Sequence, residues 1–153
     1  MAKFYMFFGA QAYEFERPEI SKTPGTAKID KKIYSVLIRP FSKGGENMDF
    51  LIKQNDTIPY LEAQLIDANG NPINLDMCSV TFHMKDMYGK KKIIRKATII
   101  DAEQGKVRIE WGKGETDIAG TMRCEFEIIF TDDSILTVPN DGYFTITIVP
   151  ELA

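Results

Sequence analysis

Histidine is nearly absent from this sequence: His83 stands alone among 153 residues. That excludes the His-rich zinc sites and leaves a Ser/His or Cys/His nucleophile pair badly supplied. Cysteine is almost as scarce. Cys78 and Cys124 are the only two, too few for a disulfide scaffold. Both fall on the apolar face of an expected strand, where two inward cysteines either bridge two sheets or remain buried free thiols. No apolar run approaches the ~18 residues that a membrane helix needs. The opening Lys3–Ala10 is apolar but short, and Gln11, Glu14 and Glu16 follow at once, so we read it as structure rather than an export signal. With no export signal, free thiols are the expectation for the cysteines. Helical periodicity, internal repeats and low-complexity tracts are missing. The net charge of −3 is not the footprint of a general nucleic-acid binder.

What the sequence has is alternation. From Thr121 to Thr131, Met122, Cys124, Phe126, Ile128 and Phe130 share one face. Arg123, Glu125, Glu127 and Thr131 share the other, with Ile129 the apolar exception. From Tyr143 to Val149, Phe144, Ile146 and Ile148 alternate with Tyr143, Thr145 and Thr147. A period of two places one dry and one wet face on a strand. A sheet with one wet face is normally antiparallel and needs a second layer over its dry face. The same pattern predicts strands over 49–53, 60–67, 78–85, 91–100, 106–111 and 135–139, parted by turns such as Ala68–Pro72 and Asp101–Gly105. Leu61, Ala63, Leu65, Val80, Phe82, Met84, Val107, Ile109 and Trp111 are expected inward. Seven or eight short strands in about a hundred residues have the spacing of an immunoglobulin-like antiparallel β-sandwich, an all-β fold.

Ahead of these strands, residues 4–16 are rich in aromatics: Phe4, Tyr5, Phe7, Phe8, Tyr13 and Phe15. Residues 17–26 contain Pro18, Pro24 and Gly25 and read as loop. Lys32–Phe41 reads as a strand carrying Tyr34 and ending at Pro40. Ser42–Asn47, with Gly44 and Gly45, reads as a flexible joint. The expected organisation is therefore an N-terminal arm with one or two strands (1–47) and a sandwich (48–153) able to fold alone. An arm this aromatic is no disordered tail, and it is too short for its own core. It is expected to lie on a neighbouring subunit, with Lys32–Arg39 adding to a sheet edge there.

The remaining motifs support no catalytic chemistry. Asp67–Pro72 begins like a calcium loop, but Pro72 stands where the sharp turn needs Gly and Cys78 where the bidentate Glu belongs, so a hairpin turn is expected. The 112–117 loop lacks phosphate-loop spacing. Glu125 and Glu127 form a carboxylate pair on a wet face without a cleft. Residues 85–96 carry six Lys/Arg against one Asp/Glu. Lys90, Lys91, Lys92, Arg95 and Lys96 form a basic hairpin, which either meets an acidic neighbour or is simply solvated and discourages edge pairing. No metal, cofactor or catalytic residue is assigned.

A series of short segments carries a family resemblance. It runs through Lys53–Pro59, Leu61–Asp67 with Gly70, Pro72 and Leu75, Val80–Met84, Gly89 and Gly105–Trp111. It continues through Thr116-Asp117, Ala119-Gly120, Glu125–Glu127, Pro139-Asn140, Tyr143 and Ile146. Together, residues 48–149 resemble the N-terminal immunoglobulin-like domain of the phage baseplate upper protein. The resemblance implies a non-enzymatic structural protein of a bacteriophage particle, in its baseplate, tail, neck or a capsid-attached position. Its partners would be other virion proteins, in a homo-oligomer or multi-copy assembly. It would be made in the host cytoplasm and end in the virion, without membrane or nucleic acid. The rival expectation is a carbohydrate-binding sandwich, which would need Tyr60, Tyr88 and Tyr143 as exposed sugar platforms.

Overall fold

The computed structural model describes residues 3–8, 11–16, 34–39 and 50–152. Within them the chain forms strands and turns only. In order they are β1 (Lys3–Phe8), β2 (Gln11–Glu16), β3 (Ser35–Arg39), β4 (Leu51–Lys53), β5 (Leu61–Ile66) and β6 (Ser79–Asp86). Then come β7 (Lys92–Lys96), β8 (Thr98–Asp101), β9 (Lys106–Ile109), β10 (Gly120–Ile129), β11 (Ile135–Val138) and β12 (Phe144–Val149).

The organising strand of the sequence, β10, holds the middle of the larger sheet. Its Met122–Ile129 pair antiparallel with β6 on one edge. On the other edge Gly120–Cys124 pair with β12, and Phe126–Ile129 pair with β11. Outward from there, β7 flanks β6 and β4 flanks β12, giving the order β4-β12-β10-β6-β7 with β11 beside β10. The β4–β12 pair is parallel, with Leu51, Ile52 and Lys53 opposite Thr147, Ile148 and Val149. The second sheet has four strands in the order β3-β5-β9-β8.

The alternating residues close between the two sheets as expected. Leu61, Ala63, Leu65, Val107 and Ile109 from the small sheet join Val80, Phe82, Met84, Met122, Cys124, Phe126, Ile128, Phe144, Ile146 and Ile148 from the large one in a single buried cluster. Aromatic rings run through its centre. Trp111 meets Phe82 edge-on at 5.9 Å, Phe82 lies 5.3 Å from Phe126, and Phe126 stacks on Phe144 at 5.6 Å. Such pairs add roughly 0.5–1.5 kcal/mol each beyond their buried area.

Turns follow the local chemistry. Asp67 accepts the backbone N–H groups of Asn69 and Asn71 on Oδ1, each at 2.9 Å, so its carboxylate organises a turn. Gly105 has φ +63°, and a Cβ there would fall 2.6 Å from the Leu65 carbonyl oxygen, so only glycine fits the β8–β9 turn.

Two expectations are corrected. The single strand over 91–100 is two strands in different sheets: β7 pairs with β6 and β8 with β9. The chain crosses between them at Ala97, which is buried and donates its N–H to the Val80 carbonyl at 2.8 Å. A small side chain lets the backbone pass the sheet edge there without Gly or Pro. The second correction concerns Lys32–Arg39, expected on a neighbouring subunit. Its β3 portion pairs with β5 of the same chain, from Ser35 opposite Ile66 to Arg39 opposite Glu62. Val36 and Ile38 are buried in the common core. The sandwich therefore takes in a strand from ahead of residue 48 and is wider than 48–153. Phase explains this, because Val36 and Ile38 alternate with Ser35 and Leu37 and offer the open edge of β5 a matching apolar pair.

Candidate functional site

The residues expected to form the assembly arm separate into three groups. Phe4, Tyr5, Phe7 and Phe8 lie on β1 and Tyr13 and Phe15 on β2. These strands form an antiparallel pair of their own, with Phe4 opposite Phe15, Met6 opposite Tyr13 and Phe7 opposite Ala12. Tyr34 is half-buried against the sandwich core, and its N–H donates to Asn140 Oδ1 at 3.0 Å. It belongs to the body of the fold rather than to a free arm. Phe41 lies outside the described residues.

The basic hairpin does not present one uniform patch. Lys91 Nζ reaches the Asp117 carboxylate and the Gly114 carbonyl. Arg95 Nη1 donates to Glu115 Oε1 at 2.8 Å. Glu115 also accepts the Gly112 N–H, which fixes the 112–117 loop against β7. Two of the five cations are thus used within the chain, while Lys90, Lys92 and Lys96 are exposed. Such partly exposed pairs stabilise by only about 0–1 kcal/mol each. Their value is positional.

His83 is half-buried on the outer face of the large sheet, opposite Glu125 on β10 and Ile94 on β7. No three His, Cys, Asp or Glu side chains among the described residues group to hold a metal. Both cysteines are free thiols, Cys124 buried and Cys78 half-buried. Burial pushes the Cys124 thiol well above its usual range, with Glu125 adding to the effect. Burial and then Asp76 raise the Cys78 thiol more modestly. Thiolate is the reactive form, so native labelling at neutral pH is expected to modify Cys78 slowly and to spare Cys124. In denaturant, intact mass after labelling should show two additions. A pair of missing hydrogens with no label would overturn this.

The three tyrosines expected of a sugar platform are exposed, and each ring has a cation beside it. The Arg108 guanidinium lies 5.7 Å from the Tyr60 ring beside the small sheet. That of Arg123 lies 5.5 Å from Tyr143 on the large sheet. Tyr88 is at the β6–β7 turn, with Lys90 5.9 Å from its ring.

Sequence reasoning missed the outer face of the large sheet. Register sets Arg123 opposite Lys85, and Lys85 opposite Lys92. Three cations therefore stand abreast on β10, β6 and β7. Beside them is a concavity of about 280 Å³ whose lining includes His83, Lys85, Lys92, Arg123, Glu125 and Tyr143. Alternation shows that each side chain faces out, and only strand register shows that they meet.

Among known proteins, a family model described as the BppU N-terminal domain matches residues 49–152. No curated protein matches. Among solved structures, the chain is similar to the crystal structure of CopC from Methylosinus trichosporium OB3b. Identity is 11% and the TM-score 0.46, over 77% of this chain and 97% of that one.

Proposed function

From the premise that the chain belongs to the BppU N-terminal domain family, a family of the phage baseplate, we propose that it is a non-enzymatic structural protein that joins neighbouring virion proteins through its β1–β2 hairpin and its sandwich. The family match carries the proposal, since it spans β4 to β12, nearly the whole sandwich. The protein is then made in the host cytoplasm and retained in the particle, in a homo-oligomer or as one of several copies among other virion proteins.

The hairpin is the joining element on physical grounds. An isolated two-stranded ribbon is marginal in water at best. Phe4, Tyr5, Phe7, Phe8, Tyr13 and Phe15 supply aromatic side chains to β1 and β2. Burying each is worth roughly 1.5–3 kcal/mol, so an apolar cover on a neighbour stabilises both the hairpin and the joint. The sandwich has its own closed core and remains folded without it.

Deletion of residues 1–16 from the protein in the phage tests this. The shortened protein is expected to keep the unfolding midpoint of the full chain and to be missing from purified particles. Incorporation at normal occupancy would remove the hairpin from the joint. Absence of the unaltered protein from purified particles would overturn the structural role itself.

A further inference from the structure

On the outer face of the large sheet, we propose a binding site for an acidic protein segment, which seats two neighbouring carboxylates against Arg123, Lys85 and Lys92. It stands on the geometry of that face and does not depend on which assembly the chain serves.

The first observation is uncompensated charge. Like charges directly opposite on neighbouring strands are destabilising. Here Arg123 faces Lys85 and Lys85 faces Lys92. Ion pairs elsewhere on the surface tie Lys91, Arg95 and Arg108 to Asp117, Glu115 and Glu62. Among the described residues, no carboxylate pairs with any of the three cations in the row. Asp86 is nearest in sequence, but it is buried and its Oδ1 accepts the Lys91 N–H at 2.9 Å.

The second observation is that Arg123 is held in place. Its guanidinium lies over the Tyr143 ring, and Nη2 donates to the Asp86 carbonyl at 3.3 Å. Nε is buried and without a partner, as is Nε2 of His83 on the neighbouring strand. Buried polar atoms normally find partners, and unmatched ones in a native fold call for a ligand, water or ion. An arginine fixed by stacking and a carbonyl contact loses little freedom when it accepts an anion, and its planar fork suits a carboxylate.

The third observation selects the anion. Glu125 belongs to the same lining. Three cations against one carboxylate leave a formal surplus of two positive charges, which two neighbouring carboxylates of an acidic segment match. The concavity of about 280 Å³ is open and suits one or two side chains of a docked segment rather than an enclosed small molecule.

The test is an amide-resolved NMR titration of the full chain with a short blocked peptide of alternating Asp and Glu. Inorganic phosphate and the matching Asn/Gln peptide are titrated at equal ionic strength. Saturable shifts confined to residues around His83, Lys85, Lys92 and Arg123 are expected with the acidic peptide only. Arg123→Gln is expected to weaken binding about tenfold, a loss of about 1.4 kcal/mol. Lys85→Gln and Lys92→Gln, at exposed positions, should each weaken it less and also serve if Arg123→Gln folds poorly. Phosphate binding as tightly as the peptide, shifts spread over the surface without saturation, or unchanged affinity in all three variants would overturn the proposal.

Discussion

A chain beginning near Asn47 is expected to unfold at a clearly lower urea concentration than one beginning near Lys32, although both keep every residue of the family match. The difference is β3. Removing it strips Val36 and Ile38 from the core, where each is at most 3% exposed. It also leaves the β5 edge from Glu62 to Ile66 without a neighbour. At roughly 1.5–3 kcal/mol for each buried aliphatic side chain, the expected loss is about 3–6 kcal/mol. Against a total stability of about 5–15 kcal/mol for a domain, that is a large fraction. The shorter fragment should be marginal and prone to edge-to-edge association through β5. Equal midpoints for the two fragments would show that β3 does not hold the sheet in solution.

The second large effect is expected at Trp111. It lies just beyond the end of β9 and is 5% exposed. Its ring touches Phe50 at 6.1 Å and Phe82 at 5.9 Å. Its Nε1–H donates to the Pro59 carbonyl at 3.1 Å, so the one polar atom of the indole is satisfied. Trp111→Ala should therefore cost about 3–5 kcal/mol through the cavity left in the aromatic cluster. Trp111→Phe keeps much of the packing but leaves the carbonyl without its donor, and should cost less. Chemical denaturation followed by far-UV circular dichroism gives both values. Near-normal stability in Trp111→Ala, or solvent-exposed emission from the native protein, would contradict this placement.

The two-sheet body was legible because a strand's faces are written into its sequence. Phe82, Met84, Phe126, Ile128, Phe144 and Ile146 are in phase, and all are buried. Strand edges are not written in the same way. Val36 and Ile38 are buried on one side of β3, but nothing in their alternation says whether the edge beside them belongs to the same chain. The break at Ala97 was hidden for a related reason. The residues on both sides are β-formers, and the crossing uses alanine rather than the Gly or Pro that normally marks a change of direction.

Charge was partly legible. The basic stretch 85–96 stood out, and the acidic residues lay elsewhere in the chain. That Lys91 and Arg95 meet Asp117 and Glu115 depends on the 112–117 loop folding back on β7, which no local pattern encodes. The row of Arg123, Lys85 and Lys92 needs two registers at once and was illegible for that reason.

The parallel pairing of β4 with β12 has a mechanical consequence. Leu51–Lys53 and Thr147–Val149 run in the same direction. Their ladder is extended by Thr147 N–H to the Phe50 carbonyl at 3.0 Å and Gln54 N–H to the Val149 carbonyl at 2.8 Å. Lys53 Nζ adds a contact to the Pro150 carbonyl at 3.2 Å. Tension between the chain ahead of β4 and the chain after β12 pulls these strands past one another along their length. The cross-strand bonds are then strained together in shear and cannot open one after another from an end, as they would in an antiparallel hairpin pulled at its open end. The β4–β12 pair thus acts as a clamp against tension applied across these two strands.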